Sequence, residues 1–369
     1  MQLKHADDRV CYHELPAWTK TDCNFALISM SSDRRYNEIK MNNLSVFPIT
    51  HSILDANAIG GLIRSSYDLP EPLSCELMVR SVNEIYLLVA GKSKYVVRVL
   101  RHGSRNPAQL AYEVDLIRFF EEAGIAVTAP IAAMDGGYSQ EIIAPEGNRY
   151  ITIFEWAPGV PLWDRPETNL IEKLGEIVAR MHEIAPRFSA PFPVKVDTAS
   201  YILGASALFL ASLQNDPDEA AFYENLIYGA CSAFRALEPS QFDSGGVHSD
   251  IHMHNVFVSE DNQLTFLDWD NCGHDFLAKE LAAFTWRNVY LDAPIEYNDA
   301  YLRGYGRARE LTDIERANMP LFMTLRHLYV LCGMATLIPA VGRNVVGYHH
   351  SLARFRKPVE AAAEQAGLL

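Results

Sequence analysis

The sequence predicts an α+β chain in two parts: a strand-rich half with one long helix over 46–155, and a mainly helical half over 156–369. Three observations carry this. Two β-like runs with a turn between them fill 81–100 and lead into a stretch with clear helix start and stop signals. Four further stretches, 168–185, 217–237, 276–291 and 313–338, read as helices. A short hairpin over 248–270 is embedded among them. A chain of 369 residues with 49% hydrophobic content is long enough for two lobes with a sizeable core.

Residues 1–45 are polar and irregular, with Ser31-Ser32-Asp33-Arg34-Arg35 in the middle, and read as an arm that packs on the body or on a second subunit. Ser81 to Val89 and Lys94 to Leu100 are the two strands, with Ala90-Gly91-Lys92-Ser93 as the turn. Alternation puts Tyr95, Val97 and Val99 on one face and Val96, Arg98 and Leu100 on the other. An Arg between Val96 and Leu100 on a half-apolar face needs an anion. Asn106 to Gly124 is a helix, with Pro107 suited to its first turn and Gly124 to its cap. Leu110, Val114, Ile117 and Phe120 recur at helical spacing, and Glu113 falls early on it. Tyr150 to Glu155 is an apolar run that ends in Trp156-Ala157-Pro158-Gly159. The sequence contains no internal repeat and no low-complexity tract.

The chemistry concentrates in His248-Ser249-Asp250-Ile251-His252-Met253-His254-Asn255 and, after thirteen residues, Asp268-Trp269-Asp270. Asn255-Val-Phe-Val-Ser and Leu264-Thr-Phe-Leu-Asp268 are β-like runs around the turn cluster Glu260-Asp261-Asn262-Gln263. A hairpin there folds Asp268 back beside Asn255. Taken singly, each polar residue reads as a turn former. Together they supply what phosphoryl transfer needs: a carboxylate to receive the acceptor's hydroxyl proton, and an Asn and an Asp to hold magnesium. The pattern H-x-D-x-x-x-x-N is that of a kinase catalytic loop, with Ser where protein kinases carry Arg.

These residues resemble the aminoglycoside phosphotransferase family, a broad group that includes choline, homoserine and methylthioribose kinases. Its loop reads roughly H-G-D-x-H-x-x-N and its metal segment I-D-F-D. The resemblance implies a two-lobed, protein-kinase-like fold, with an antiparallel sheet plus helix in the N-lobe and a mainly helical C-lobe. It implies Asp250 as catalytic base and Asn255, Asp268 and Asp270 as magnesium ligands. The family's Gly is Ser249 here, a small-for-small change. Ser81 to Tyr86, including Asn83, would cover the phosphates, although no G-x-G-x-x-G is present. Arg98 stands where the third strand's phosphate-gripping lysine would be, with Glu113 as its partner. Arg grips through a planar fork where Lys offers a point charge. Glu155 to Ala157 would be the hinge whose backbone meets the adenine. ATP or GTP with Mg2+ is the implied cofactor, and a small-molecule hydroxyl the implied acceptor.

With 46 acids against 32 Lys plus Arg, the net charge of −14 disfavours nucleic acid or an anionic membrane as partner and is compatible with a cationic acceptor. The six cysteines show no C-x-x-C pair, which fits a reduced cytoplasmic protein, monomer or homodimer. No apolar signal segment opens the chain, and charges break the apolar stretches before 18 residues, so no membrane span is expected. The acceptor pocket is placed after the metal segment, near Trp286, Arg287, Tyr290 and Asp292. There, Asp292 to Tyr297 offers acids and aromatics as a clamp for an ammonium, while Trp286 and Tyr290 at i, i+4 read as a packing pair. Two other readings stay open. One is a metal-dependent hydrolase built on the His and Asp of 248–270. The other is a non-catalytic nucleotide-binding module.

Overall fold

The computed structural model describes residues 49–342 and 348–369. The expected arm over 1–45 lies outside them, as do Cys11 and Cys23. The strand-rich part begins with α1 (Ala56–Ser66), whose N-cap Asp55 accepts a hydrogen bond from the Ala58 N–H at 2.8 Å. There follow β1 (Leu73–Arg80), β2 (Glu84–Ala90), β3 (Ser93–Val99), α2 (Pro107–Glu122), β4 (Ser139–Ala144) and β5 (Gly147–Glu155). The strands form one antiparallel sheet in the order β1-β2-β3-β5-β4. Tyr86, Leu88, Val97, Val99, Ile151 and Ile153 point from its central strands onto Ile59 and Ile63 of α1.

The β2–β3 pair and α2 sit where the sequence places them. Asn106 caps α2 through a reciprocal capping box with Gln109. The two strands the sequence reading left out, β1 and β4, are the sheet's edges. Most of β1 is exposed, so its residues need not alternate. A buried knot ties the sheet together: Glu84 meets Arg149 at 3.2 Å and His51 at 3.0 Å, and accepts from the Tyr86 hydroxyl at 2.9 Å. Glu84 is fully buried there, so only 81–83 remains free as a loop, shorter than the expected 81–86.

The helical part contains β6 (Val160–Pro161), α3 (Thr168–Ile184), α4 (Thr198–Ser212), α5 (Pro217–Arg235), β7 (Ser244–Val247), β8 (Val256–Val258), β9 (Leu264–Phe266), β10 (Gly273–Phe276), α6 (Leu277–Tyr290), α7 (Ile295–Ala308), α8 (Asp313–Val341) and α9 (Tyr348–Gln365). α4 gives no amphipathic signal because α5 and α8 cover it on two sides. α7 starts at Ile295, so the expected loop over 292–297 is half helix. α3 and α7 cross at backbone contact: a Cβ on Gly175 would collide with the Tyr301 carbonyl oxygen, and one on Gly304 with that of Glu172. α8 forms a single 29-residue helix, and Asp313–Pro339 is by length and composition long and apolar enough to cross a membrane. Half of its most apolar window is buried in protein, where it packs on α4, α5, α6 and α9 as the core helix of this part.

Candidate active site

The segment 248–272 is a loop closed at its base. β7 enters it and β10 leaves it, paired antiparallel with Val247 opposite Gly273. Inside, β8 and β9 form the expected hairpin, Val256 opposite Phe266, and the Leu267 N–H donates to the Asn255 carbonyl at 3.1 Å. His248 is fully buried against Trp269. Its Nε2 donates to the Leu267 carbonyl at 3.0 Å and its Nδ1 accepts from the Asp250 N–H at 3.3 Å. His248 is thus a strut rather than a reactive group.

Three residues of the loop, Ser249 (φ 66°), Asn262 (φ 65°, in the hairpin turn) and Asp268 (φ 63°), hold left-handed backbone. Asp tolerates this conformation and Ser less so. The Ser249 position is therefore more than small-for-small: its backbone favours glycine, and its Oγ is buried without a partner. What holds it is Glu280 on α6, which accepts from the Ser249 N–H at 2.6 Å and from His182 Nε2 of α3 at 2.7 Å. His182 Nδ1 lies 2.8 Å from the Tyr305 hydroxyl of α7, which accepts from Arg309. Burial opposes ionisation of Glu280, but the His182 and Ser249 contacts outweigh it and hold its pKa below the usual range.

On one side of Asp250 lie the residues expected to meet the nucleotide. Arg98 and Glu113 form a buried two-point pair, 2.8 Å at both contacts, and Arg105 adds a third at 3.0 Å. Burial works against these charges, yet Glu113 holds the Arg98 pKa above its ordinary value, and the two arginines hold that of Glu113 below. Asn83, in the 81–83 loop, donates to Asp270 Oδ2 at 2.9 Å, joining the sheet to the 268–270 segment. Ser81 is exposed and makes only the turn, its N–H on the Asn83 carbonyl. Glu155 ends β5 with an exposed side chain and its N–H on Ala129. The Ala157 N–H makes no backbone hydrogen bond among the described residues, as a hinge donor requires.

Asp268 is exposed but has Asp270, Arg98, Asp250 and Glu113 around it. This confinement, with Asp270 beside it, pushes its pKa well above the carboxylate range. The same confinement raises Asp270, against the pull of Arg98 and Arg105. Asn255 uses its amide nitrogen on the Asp250 carbonyl at 3.1 Å, leaving its oxygen without a hydrogen bond among the described residues. Asn83 Oδ1 is buried and unpartnered. Crowded carboxylates with spare amide oxygens are an all-oxygen donor set of the kind magnesium takes.

On the other side, Arg326 of α8 donates to Asp250 Oδ1 and, at 3.1 Å, to the Ser249 carbonyl. Asn271 donates to Asp250 Oδ2 at 3.2 Å and is itself held by the Tyr329 hydroxyl. Burial acts against the Asp250 charge, but Arg326 keeps its pKa low. Burial lowers His252 to about 3 and His254 to about 4, so both are neutral near pH 7. Trp286 and Tyr290 stack at 5.5 Å, joined by Phe355, as the packing pair expected. The ammonium clamp over 292–297 is not assembled: Asp292 is exposed and paired with Arg354, and Glu296 is exposed.

Sequence reasoning missed Arg105, Asn271, Glu280, His182 and Arg326. Arg326 left a signal, a lone cation in the apolar run Leu321 to Leu331. The imidazoles expected of a hydrolase centre are spent apart, His248 on backbone and His254 stacked on Trp163. No group of three or more His, Cys, Asp or Glu among the described residues is arranged to hold a metal.

Comparison with known proteins identifies the family and the fold. A family profile described as the phosphotransferase enzyme family, APH, matches residues 81–318, well over half the chain. A Deinococcus radiodurans protein without a functional name is 29% identical over 82% of this chain and 88% of its own. Homoserine kinase of Rhodospirillum rubrum is 26% identical over 69% of this chain and 78% of its own. A solved structure of amicoumacin kinase with AMP-PNP and Ca2+ superposes with a TM-score of 0.67 at 19% identity, covering 84% of this chain and 94% of that one. The fold is the protein-kinase-like one expected from sequence, and the chain belongs to the APH phosphotransferase family.

Proposed function

We propose that this phosphotransferase moves the γ-phosphate of ATP or GTP to a hydroxyl of a small molecule, with Asp250 as the base. The observation that carries it is the position of Asp250: one loop, closed by β7 and β10, ties its backbone carbonyl to Asn255 and, through Asn271, its carboxylate to that of Asp270. In this reading Arg98, oriented by Glu113, aligns the phosphates, the 81–83 loop covers them, and Glu155 to Ala157 meet the base. Asn255, Asp268 and Asp270 would hold magnesium, which when bound neutralises charge on the phosphates. Asp250 receives the acceptor's hydroxyl proton, and Arg326 and Asn271 fix its carboxylate. The APH relatives and the intact Asp250 favour an enzyme over a nucleotide-binding module. Four described cysteines, Cys75, Cys231, Cys272 and Cys332, are free thiols, which supports a reduced, cytoplasmic setting. The test is a screen of nucleoside diphosphate release across amino alcohols, aminoglycosides, macrolides and thiosugars with magnesium present. Acceptor-dependent release supports the reading. Release with none of them, together with absent magnesium-dependent nucleotide binding, overturns it.

A further inference from the structure

The side of Asp250 away from the nucleotide residues carries more positive charge than the chain answers. The Arg287 side chain on α6 has no carboxylate within ion-pair distance and donates no hydrogen bond among the described residues; its guanidinium lies over the Tyr290 ring at 5.2 Å. Its Nε is buried without a partner, as is that of Arg326. Nearby acids are already engaged. Glu280 holds His182 and the Ser249 N–H, Asp275 holds Lys279, and Asp292 holds Arg354. Among the described residues, Asp250 is the carboxylate that faces both arginines, and Arg326 occupies it. The rings behind them keep the guanidinium groups in place: Arg326 lies over Trp286 at 5.7 Å and Tyr329 at 5.8 Å. Stacked, partly desolvated arginines with open donors are pre-set for a planar anion.

We propose that Arg287 and Arg326 anchor a carboxylate of the acceptor molecule. The inference rests on the phosphotransferase reading and adds the acceptor's chemistry: a hydroxyl for Asp250 and an anionic group a few bonds away. Because Arg326 binds Asp250 itself, a carboxylate held by the pair lies beside the base, where the hydroxyl must arrive. A nucleotide phosphate is the other anion that could reach them, but Arg98 and the Asp268–Asp270 pair already serve that side.

The experiment is equilibrium calorimetry at fixed ionic strength with paired ligands, 2-aminoethanol against L-serine and 3-amino-1-propanol against L-homoserine. The carboxylate member of a pair should bind about tenfold or more tightly. Arg287→Gln should erase that preference and Arg287→Lys keep part of it, with thermal melts reporting that each variant folds. Equal binding, undetectable binding of both members, or a preference untouched by Arg287→Gln overturns the anchor. So does an Arg287→Gln effect confined to ATP. Magnesium-dependent ATP binding, measured separately, tests the parent reading: a carboxylate preference without it keeps the anchor and removes the kinase.

Discussion

The two flanks of Asp250 differ in their balance of acids and bases although they share one loop. On the flank proposed for the nucleotide, Glu113, Asp268 and Asp270 face Arg98 and Arg105, three carboxyl groups against two guanidinium groups, and crowding raises the pKa of Asp268 and Asp270. On the other flank, Arg287 and Arg326 face Asp250, two against one, an excess of one positive charge. The chain's net charge of −14 says nothing of this division. Local charge governs what a site can bind, and a whole-chain sum averages it away.

The contrast breaks first at Asp268. Asp268→Ala should abolish magnesium-dependent nucleotide binding, measured by calorimetry with and without the metal. Binding that survives would mean the negative flank is not a metal site. Next comes Asp250→Asn, expected to lower turnover about a hundredfold or more with nucleotide affinity largely kept. Near-normal turnover would remove Asp250 from the chemistry. Glu113→Ala leaves Arg98 and Arg105 buried without their acid, so denaturant titration should show a loss of about 3–5 kcal/mol. Arg98→Ala should raise the KM for nucleotide and lower kcat together, non-additively with Glu113→Ala. The smallest effect is at Ser249. Ser249→Gly relieves left-handed strain and an orphaned hydroxyl, against the chain-entropy cost of glycine, for a net gain of about 1 kcal/mol. A drop in melting temperature would show that the hydroxyl has a partner after all.

The nucleotide flank was legible in the sequence and the acceptor flank was not. Asp250, Asn255, Asp268 and Asp270 lie within 21 residues, joined by a hairpin that strand periodicity reveals, and Arg98 stands out by strand alternation. The other flank is assembled across distance: Arg326 reaches Asp250 over 76 positions and Glu280 reaches His182 over 98. Nothing in local spacing encodes such contacts; they follow from how α3, α6 and α8 pack. The edge strands β1 and β4 went unread for a related reason, since their order comes from hydrogen bonds to a neighbour rather than from their own pattern. Glu113 was legible as the partner of Arg98, but its second arginine sits before the helix in a stretch without periodicity.

The crossing of α3 and α7 sets a limit on how this chain can drift. Gly175 and Gly304 each lie against a carbonyl of the other helix, so neither position has a tolerated neighbour in sequence space that leaves the helix spacing alone. His182 and Tyr305 ride on those helices and end at the Ser249 N–H through Glu280. A single methyl at either glycine would therefore be felt at the catalytic loop. The spacing of two helices at a pair of glycines is thus part of what holds the Ser249 backbone in place.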